Sequence, residues 1–383
     1  VNSHSNAPFG DIVVHVFGKT DVGRTREHNE DSFVVADLTA GNATLQPEVR
    51  THVAGERGTL FMVADGMGGA AAGEVASAMA TEVVLTELDA RWRQSPSREA
   101  EAFALAIKHA TETANARIHR YAIEHPENRG MGTTATIAGL LGDTLFLAQV
   151  GDSRAYLVRN GKASQITKDQ SLMQKLVEAG ELTEEEAEVS ERRNIILQAL
   201  GPEPVVKVDL THQQVRRGDT LVLCSDGLSG QMRADDIARL VTAAPDLTGA
   251  CKALIDLANE NGGPDNITVI CARFEGEALR PPSSSDSAGH AVYVGESESR
   301  PTVPVSAATL PPLTPEEEAA MNRTTPREVP VYVPPPEAAR TTPPAAPRPT
   351  PKPESRVSVT TLRVVFGAIA VAVALWVYLS LKK

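Results

Sequence analysis

Two periodicities alternate along the first 277 residues of the chain. Short runs rich in Val, Ile and Phe, such as "IVVHVFGKT", "DSFVVAD" and "GTLFMVAD", are bounded by Gly, Asp and Asn and predict strands. "GEVASAMATEVVLTELDARW" and "SREAEAFALAIKHATETANARIHRYAIE" repeat apolar residues at helical spacing and predict two consecutive long helices. "TTATIAGLLGD", "TLFLAQVGD" and "SRAYLVRNGKASQIT" read as an antiparallel meander turning at "GD" and "NG". A mostly helical stretch, "QSLMQKLVEAGELTEEEAEVSERRNIILQALG", precedes strands at "VVKVDLTH" and "TLVLCSD". Two more helices and a last strand, "NITVICARF", complete the pattern. Strands and helices arrive in blocks and not in strict alternation, which favours antiparallel sheets with helices packed outside over a doubly wound parallel sheet.

Composition divides the chain. Eighteen of its 26 prolines fall within 278–358, where Ser, Thr and Ala are common and aromatics few. Such a segment buries too little apolar surface to offset the entropy of ordering it, so 278–358 is expected to be a disordered, Pro-stiffened linker behind one folded unit at 8–277. The terminal segment 359–383 is expected to be a membrane anchor: 364–381 holds 18 residues without a charge, enough to cross a bilayer as a helix. Trp376 and Tyr378 suit one interface, while Arg348, Lys352, Arg356 and Arg363 precede the span and favour the cytoplasm for that side. No basic start followed by an apolar core opens the sequence, so a cleaved leader is not expected. The expectation is a single-pass protein of the cell inner membrane with its folded domain in the cytoplasm.

Charge and cysteine usage narrow the chemistry. The net charge is -12 with no Lys/Arg stripe, which argues against a nucleic-acid partner. Three cysteines and nine histidines are scattered without metal-ligand spacing, so neither a disulfide framework nor a His-based zinc site is expected. A cysteine phosphatase needs Arg six residues after its nucleophile, and those positions hold Gly230, Leu257 and Glu277.

The distinctive feature is a set of acids at strand boundaries. Asp65 ends "VAD" before "GMGG", Asp152 lies in "AQVGDSRA", Asp226 in "LVLCSDGL" and Asp265 in "GGPDNITV", while Glu30 and Asp31 of "NEDSF" precede another strand. Singly, each is an ordinary turn residue. Gathered at sheet ends they would repel one another, and hard divalent cations relieve that repulsion. Gly66 lacks a side chain, so its carbonyl can approach such a cation. The same glycines also give a G-x-G-x-x-A at Gly66, Gly68 and Ala71, a dinucleotide fingerprint. A second helix at 97–124 stands where the strand carrying a ribose-binding acid belongs, which counts against that reading.

In order and spacing, "RTREHNEDSF", "VADGMGG", "GMGTTATIA", "VGDSRAY", "CSDGL" and "GPDNITV" resemble the motifs of the metal-dependent Ser/Thr protein phosphatases of the PPM/PP2C family, bacterial membrane-anchored type. The resemblance implies an α+β fold of two antiparallel β-sheets packed as a sandwich with helices on both outer faces. It implies hydrolysis of phosphoserine and phosphothreonine in proteins by a water activated between two Mn²⁺ or Mg²⁺ ions, with a third ion in bacterial relatives, opposite a Ser/Thr protein kinase. It places Asp65 between two metals with the Gly66 carbonyl on one of them, Asp226 and Asp265 on the other, and Glu30 in the first shell or on its waters. It pairs Asp152 with Asp226 at the third ion and Arg26 with the substrate phosphate. Ala70 and Met67 stand where relatives carry a His, leaving no protein general acid assigned. The segment 167–201 corresponds to the family's flap but reads "KDQS" and "VSERRN" where relatives show His-containing motifs. The rival from another class is a phosphatase-like module that binds phosphoproteins without turnover, and the full acid set counts against it.

Overall fold

The computed structural model describes residues 12–41 and 51–294. The chain divides into two units, 1–324 and 325–383, and the described residues belong to the first. The expected span at 364–381 lies outside them. No helix of the described residues is long and apolar enough to cross a membrane.

In chain order the elements are β1 (Val13–Asp21), β2 (Asp31–Asp37), β3 (Thr51–Val53), β4 (Thr59–Met67), α1 (Ala70–Leu88), α2 (Ala100–Glu124), β5 (Gly132–Thr133), β6 (Ala135–Leu141), β7 (Thr144–Val150), β8 (Arg154–Arg159) and β9 (Lys162–Gln165). There follow α3 (Leu172–Glu178), α4 (Glu184–Glu188), β10 (Asp209–Gln214), β11 (Thr220–Cys224), α5 (Asp226–Ser229), α6 (Ala234–Ala243), α7 (Leu247–Glu260) and β12 (Ile267–Glu275). They form two antiparallel sheets, ordered β3-β1-β12-β11-β8-β9 and β10-β7-β6-β4-β2. The β8–β9 hairpin turns at Asn160–Gly161, both left-handed at φ 52° and 74°, as the "NG" signal demands.

Period-two alternation sorts the side chains into three apolar layers. In β4, Leu60, Met62 and Ala64 face α1 and α2, packing with Met79, Phe103 and Ile107. Phe61 and Val63 face the other way and meet Val16, Leu157, Leu223 and Ile270 of the opposite sheet. The far face of that sheet, with Val222, Cys224 and Val269, is covered by Ile237 of α6 and Leu254 of α7. The result is helices, sheet, sheet, helices, the expected αββα sandwich.

Two expectations change. The stretch 170–201 is not mostly helical: it contains only α3 and α4, and Gly180 at φ 72° lies between them. Beyond α4, Val189, Ile195 and Leu197 are exposed, so no apolar stripe is available for a helix to bury. The expected linker also begins too early at 278, because 278–294 lies against the domain as a strap. Leu279 is fully buried in the inter-sheet layer, and Arg216 pairs with Asp286 at 3.2 Å. Further on, the His212 N–H donates to the Ala291 carbonyl (2.9 Å) and the Tyr293 N–H to Leu210 (3.0 Å), which covers the open edge of β10. The Tyr293 ring stands edge-on to Phe146 at 5.4 Å. Replacing it in Tyr293→Ala should cost about 1 kcal/mol and lower the thermal midpoint by about 2–4 °C, as scanning calorimetry would report.

Candidate active site

The inter-sheet rows run from apolar to polar at one end of the sandwich. On β4, Phe61 and Val63 are followed in the same row by Asp65. The residue directly across from Asp65 on β2 is Asp31, which continues the row of Phe33 and Val35. On β11, Leu221 and Leu223 lead to Ser225; on β12, Ile270 leads to Thr268. The Ser225 hydroxyl donates to Asp31 Oδ2 at 2.7 Å and accepts from the Thr268 N–H at 2.9 Å, bridging the two sheets beneath the acids.

Backbone bonds lock Asp65 without engaging its carboxylate. Its N–H donates to Thr134 Oγ1 (3.0 Å), while its carbonyl accepts from the Thr134 N–H (2.8 Å) and the Thr133 hydroxyl (2.9 Å). This is the structural work of the "TT" in "GMGTTATIA". The Gly66 N–H donates to the Glu30 carbonyl at 3.1 Å. A Cβ on Gly66 would lie 2.2 Å from the Gly73 carbonyl oxygen, and one on Gly73 would lie 2.0 Å from Glu30 Oε2. Stripping side chains from both positions lets the first turn of α1 close against Asp65's strand and seat the Glu30 carboxylate.

Electrostatics show how tightly the acids are gathered. Burial, then Asp31, Asp226, Asp152 and Asp265, push the Asp65 carboxyl well above the ordinary range. Burial raises Asp31 to about 7, against the pull of the Thr268 and Ser225 bonds. Burial and Asp265 raise Asp226 to about 6, and a hydrogen bond with Asp65 holds it from rising further. Asp152 is raised to about 8 by burial, Asp226 and Asp169. Burial also raises Glu30, opposed by Arg26. Two buried oxygens, Asp31 Oδ1 and Asp226 Oδ1, have no hydrogen-bond partner in the protein.

The two arginines nearest the cluster are each already paired. Arg26 pairs with Asp265 at 2.8 Å, half exposed at the mouth of the cluster, and Arg154 pairs with Asp169 at 2.8 Å. Among the described residues no three acid, imidazole or thiol groups already enclose one point as metal ligands do. Two of the acids engage other side chains: Asp265 pairs with Arg26, and Asp31 accepts from the Ser225 hydroxyl. Hard oxygen donors, mutual repulsion and orphaned oxygens fit a divalent cation better than any other occupant.

The structure thus brings Arg26, Glu30, Asp65, Asp152, Asp226 and Asp265 to one sandwich end, with Gly66 next to Asp65 near the end of β4. It adds Asp31. Asp31 is the second acid of "NEDSF", and pairing with β4 places it in the row of Phe33 and Val35 that faces the inter-sheet layer. The flap at 167–201 is tied to the same end: the Leu200 N–H donates to the Thr133 carbonyl (2.8 Å), and the Gln170 N–H to that of Gly151 (2.8 Å).

Comparison with known proteins carries this geometry to a family. The profile described as protein phosphatase 2C matches residues 42–260, more than half of the chain. This chain belongs to the protein phosphatase 2C family. The serine/threonine phosphatase stp of Listeria monocytogenes is 36% identical to it over 258 residues, 67% of this chain and 94% of that protein. The Streptococcus agalactiae serine/threonine phosphatase structure matches at TM-score 0.58 and 35% identity, over 68% of this chain and 99% of that one. The catalytic domain of PstP, solved in complex with two manganese ions, matches at TM-score 0.56 and 34% identity, over 69% and 99% of the two chains. The activity of this phosphatase 2C chain is that of a protein Ser/Thr phosphatase. Its fold, two antiparallel sheets between helices, is theirs as well.

Proposed function

We propose that the acid cluster holds two divalent cations, Mn²⁺ or Mg²⁺, and that the phosphatase 2C domain uses them to hydrolyse phosphoserine and phosphothreonine in proteins. The observation that carries this reading is the gathering of Asp31, Asp65, Asp152 and Asp226, whose charge burial opposes, beside Asp265. When bound, paired ions supply a water of lowered pKa and positive charge for the transferring group. Asp65, at the centre, would face both ions, with the Gly66 carbonyl beside it; Asp226 and Asp265 would hold the second, while Asp31 and Glu30 fix the first and its waters. Asp152, beside Asp226, would serve a third.

Arg26 receives the phosphate. Its planar guanidinium matches two phosphate oxygens, and the hydrogen bond to Asp265 raises its pKa, keeping it charged. A phosphomonoester dianion entering the mouth competes with Asp265 for that guanidinium. Arg26→Ala is therefore expected to raise KM for p-nitrophenyl phosphate and for a phosphothreonine peptide by about tenfold, with a smaller change in kcat. Turnover is expected with Mn²⁺ and should vanish with EDTA; metal-independent turnover would contradict the reading.

The substrates of such an enzyme are products of Ser/Thr kinases, so a protein kinase is the proposed functional counterpart. The uncharged 364–381 segment and the basic residues before it support a membrane tether with the domain on the cytoplasmic side. A reporter fused at residue 300 and accessible only from outside the cell would overturn that topology.

A further inference from the structure

We infer that Asn266 is a positioning residue for substrate phosphate: it pins the loop that carries Arg26 and so sets where the guanidinium stands relative to the acid cluster. The inference rests on the reading of Arg26 as the phosphate-binding group. Asn266 is buried, only 4% exposed, immediately after Asp265. Its carboxamide bonds the loop three times. Oδ1 accepts from the Glu30 N–H at 2.8 Å, and Nδ2 donates to the carbonyls of Val22 (3.0 Å) and His28 (2.9 Å). Its backbone N–H donates to Asp265 Oδ1 at 2.9 Å, so the same residue also orients the carboxylate that pairs with Arg26.

The loop's other ties lie near its ends, where the Gly23 N–H donates to Asp21 (3.0 Å) and Asn29 Nδ2 to the Thr20 hydroxyl (2.7 Å), or run through Arg26 itself to Asp265. Residues 24–28 are exposed and outside any strand, and the Arg24 N–H bond to Gly263 (2.7 Å) ties it to the same 262–266 turn. Asn is suited to the task because one planar group presents both an acceptor and two donors; a carboxylate would face the Val22 and His28 carbonyls with no hydrogen to give. Loss of the pins leaves Arg26 present but free to wander, and small misplacements of a binding group weaken substrate capture steeply.

The test is a double-mutant cycle in the whole chain at saturating Mn²⁺, reading KM and kcat for p-nitrophenyl phosphate, Ki for inorganic phosphate, and the thermal midpoint. Asn266→Ala is expected to raise KM and Ki by about tenfold with a smaller change in kcat, and to do nothing further to either in the Arg26→Ala background. Equal effects in both backgrounds, or a fall in kcat with KM and Ki unchanged, would overturn the positioning role and mark Asn266 as a fold residue only. Should Asn266→Ala lack a cooperative thermal transition, Asn266→Ser takes its place with the same two outcomes. Arg26→Ala with KM and Ki unaltered would instead overturn the phosphate-binding reading itself, and this inference with it.

Discussion

Asp65→Asn is expected to lower kcat by at least about a thousandfold while leaving the domain folded. The side chain it alters is the meeting point of the cluster: across the strand pair from Asp31, and repelled by Asp31, Asp226, Asp152 and Asp265. The substitution keeps shape and removes one charge. It leaves the Thr133 and Thr134 bonds intact because these engage only the Asp65 backbone. Without divalent metal the variant should even melt higher than the parent near neutral pH, since burial and four other acids oppose the charge it loses. Stabilisation by Mn²⁺ should largely vanish. Steady-state kinetics on a phosphothreonine peptide and melting curves with and without Mn²⁺ check both halves; activity within about tenfold of the parent would contradict the role assigned to Asp65.

The second large effect is on pH and metal together. Asp226, Asp31 and Asp152 titrate in the folded protein at about 6, 7 and 8, against an ordinary value of 3.8. Between these limits the folded state holds protons that the unfolded chain has released. The stability these groups contribute is fully present below the unfolded value and is lost as pH rises through the folded ones. The metal-free domain should therefore lose thermal stability from about pH 5 to about pH 8. Cations bind the deprotonated forms, so protons compete with them. The rise in thermal midpoint on adding Mn²⁺ should be several degrees larger at about pH 8 than at about pH 5.5, with proton release on binding at the lower pH. Equal stabilisation at both values would show that Mn²⁺ binds away from these acids.

Much of this was legible along the chain. Alternation in "GTLFMVAD" separates Leu60, Met62 and Ala64 from Phe61 and Val63, and it carries the second row on to Asp65. "NG" set the β8–β9 turn through two left-handed residues. Other features depend on contacts distant in sequence. Which of Glu30 and Asp31 faces the inter-sheet layer follows from pairing with β4, and the adjacency of two acids says nothing of that register. Asn266 opened the predicted strand "NITVICARF", and its pinning of a loop more than 200 positions earlier shows only once the chain is folded. Pro and Ser between 281 and 287 masked the strap, because composition averages over a few anchoring side chains such as Leu279 and Tyr293. The helical pattern at 170–201 failed for the opposite reason: beyond α4, Val189, Ile195 and Leu197 found no layer to join.

The most direct test is a crystal of the phosphatase soaked in Mn²⁺ and measured for anomalous scattering. Two peaks are expected beside the Asp65 carboxylate, with Asp31 and Glu30 near one, Asp226 and Asp265 near the other, and Arg26 released from Asp265. Manganese bound elsewhere, with these carboxylates unmoved in a preparation that turns over phosphopeptide, would contradict the proposed centre.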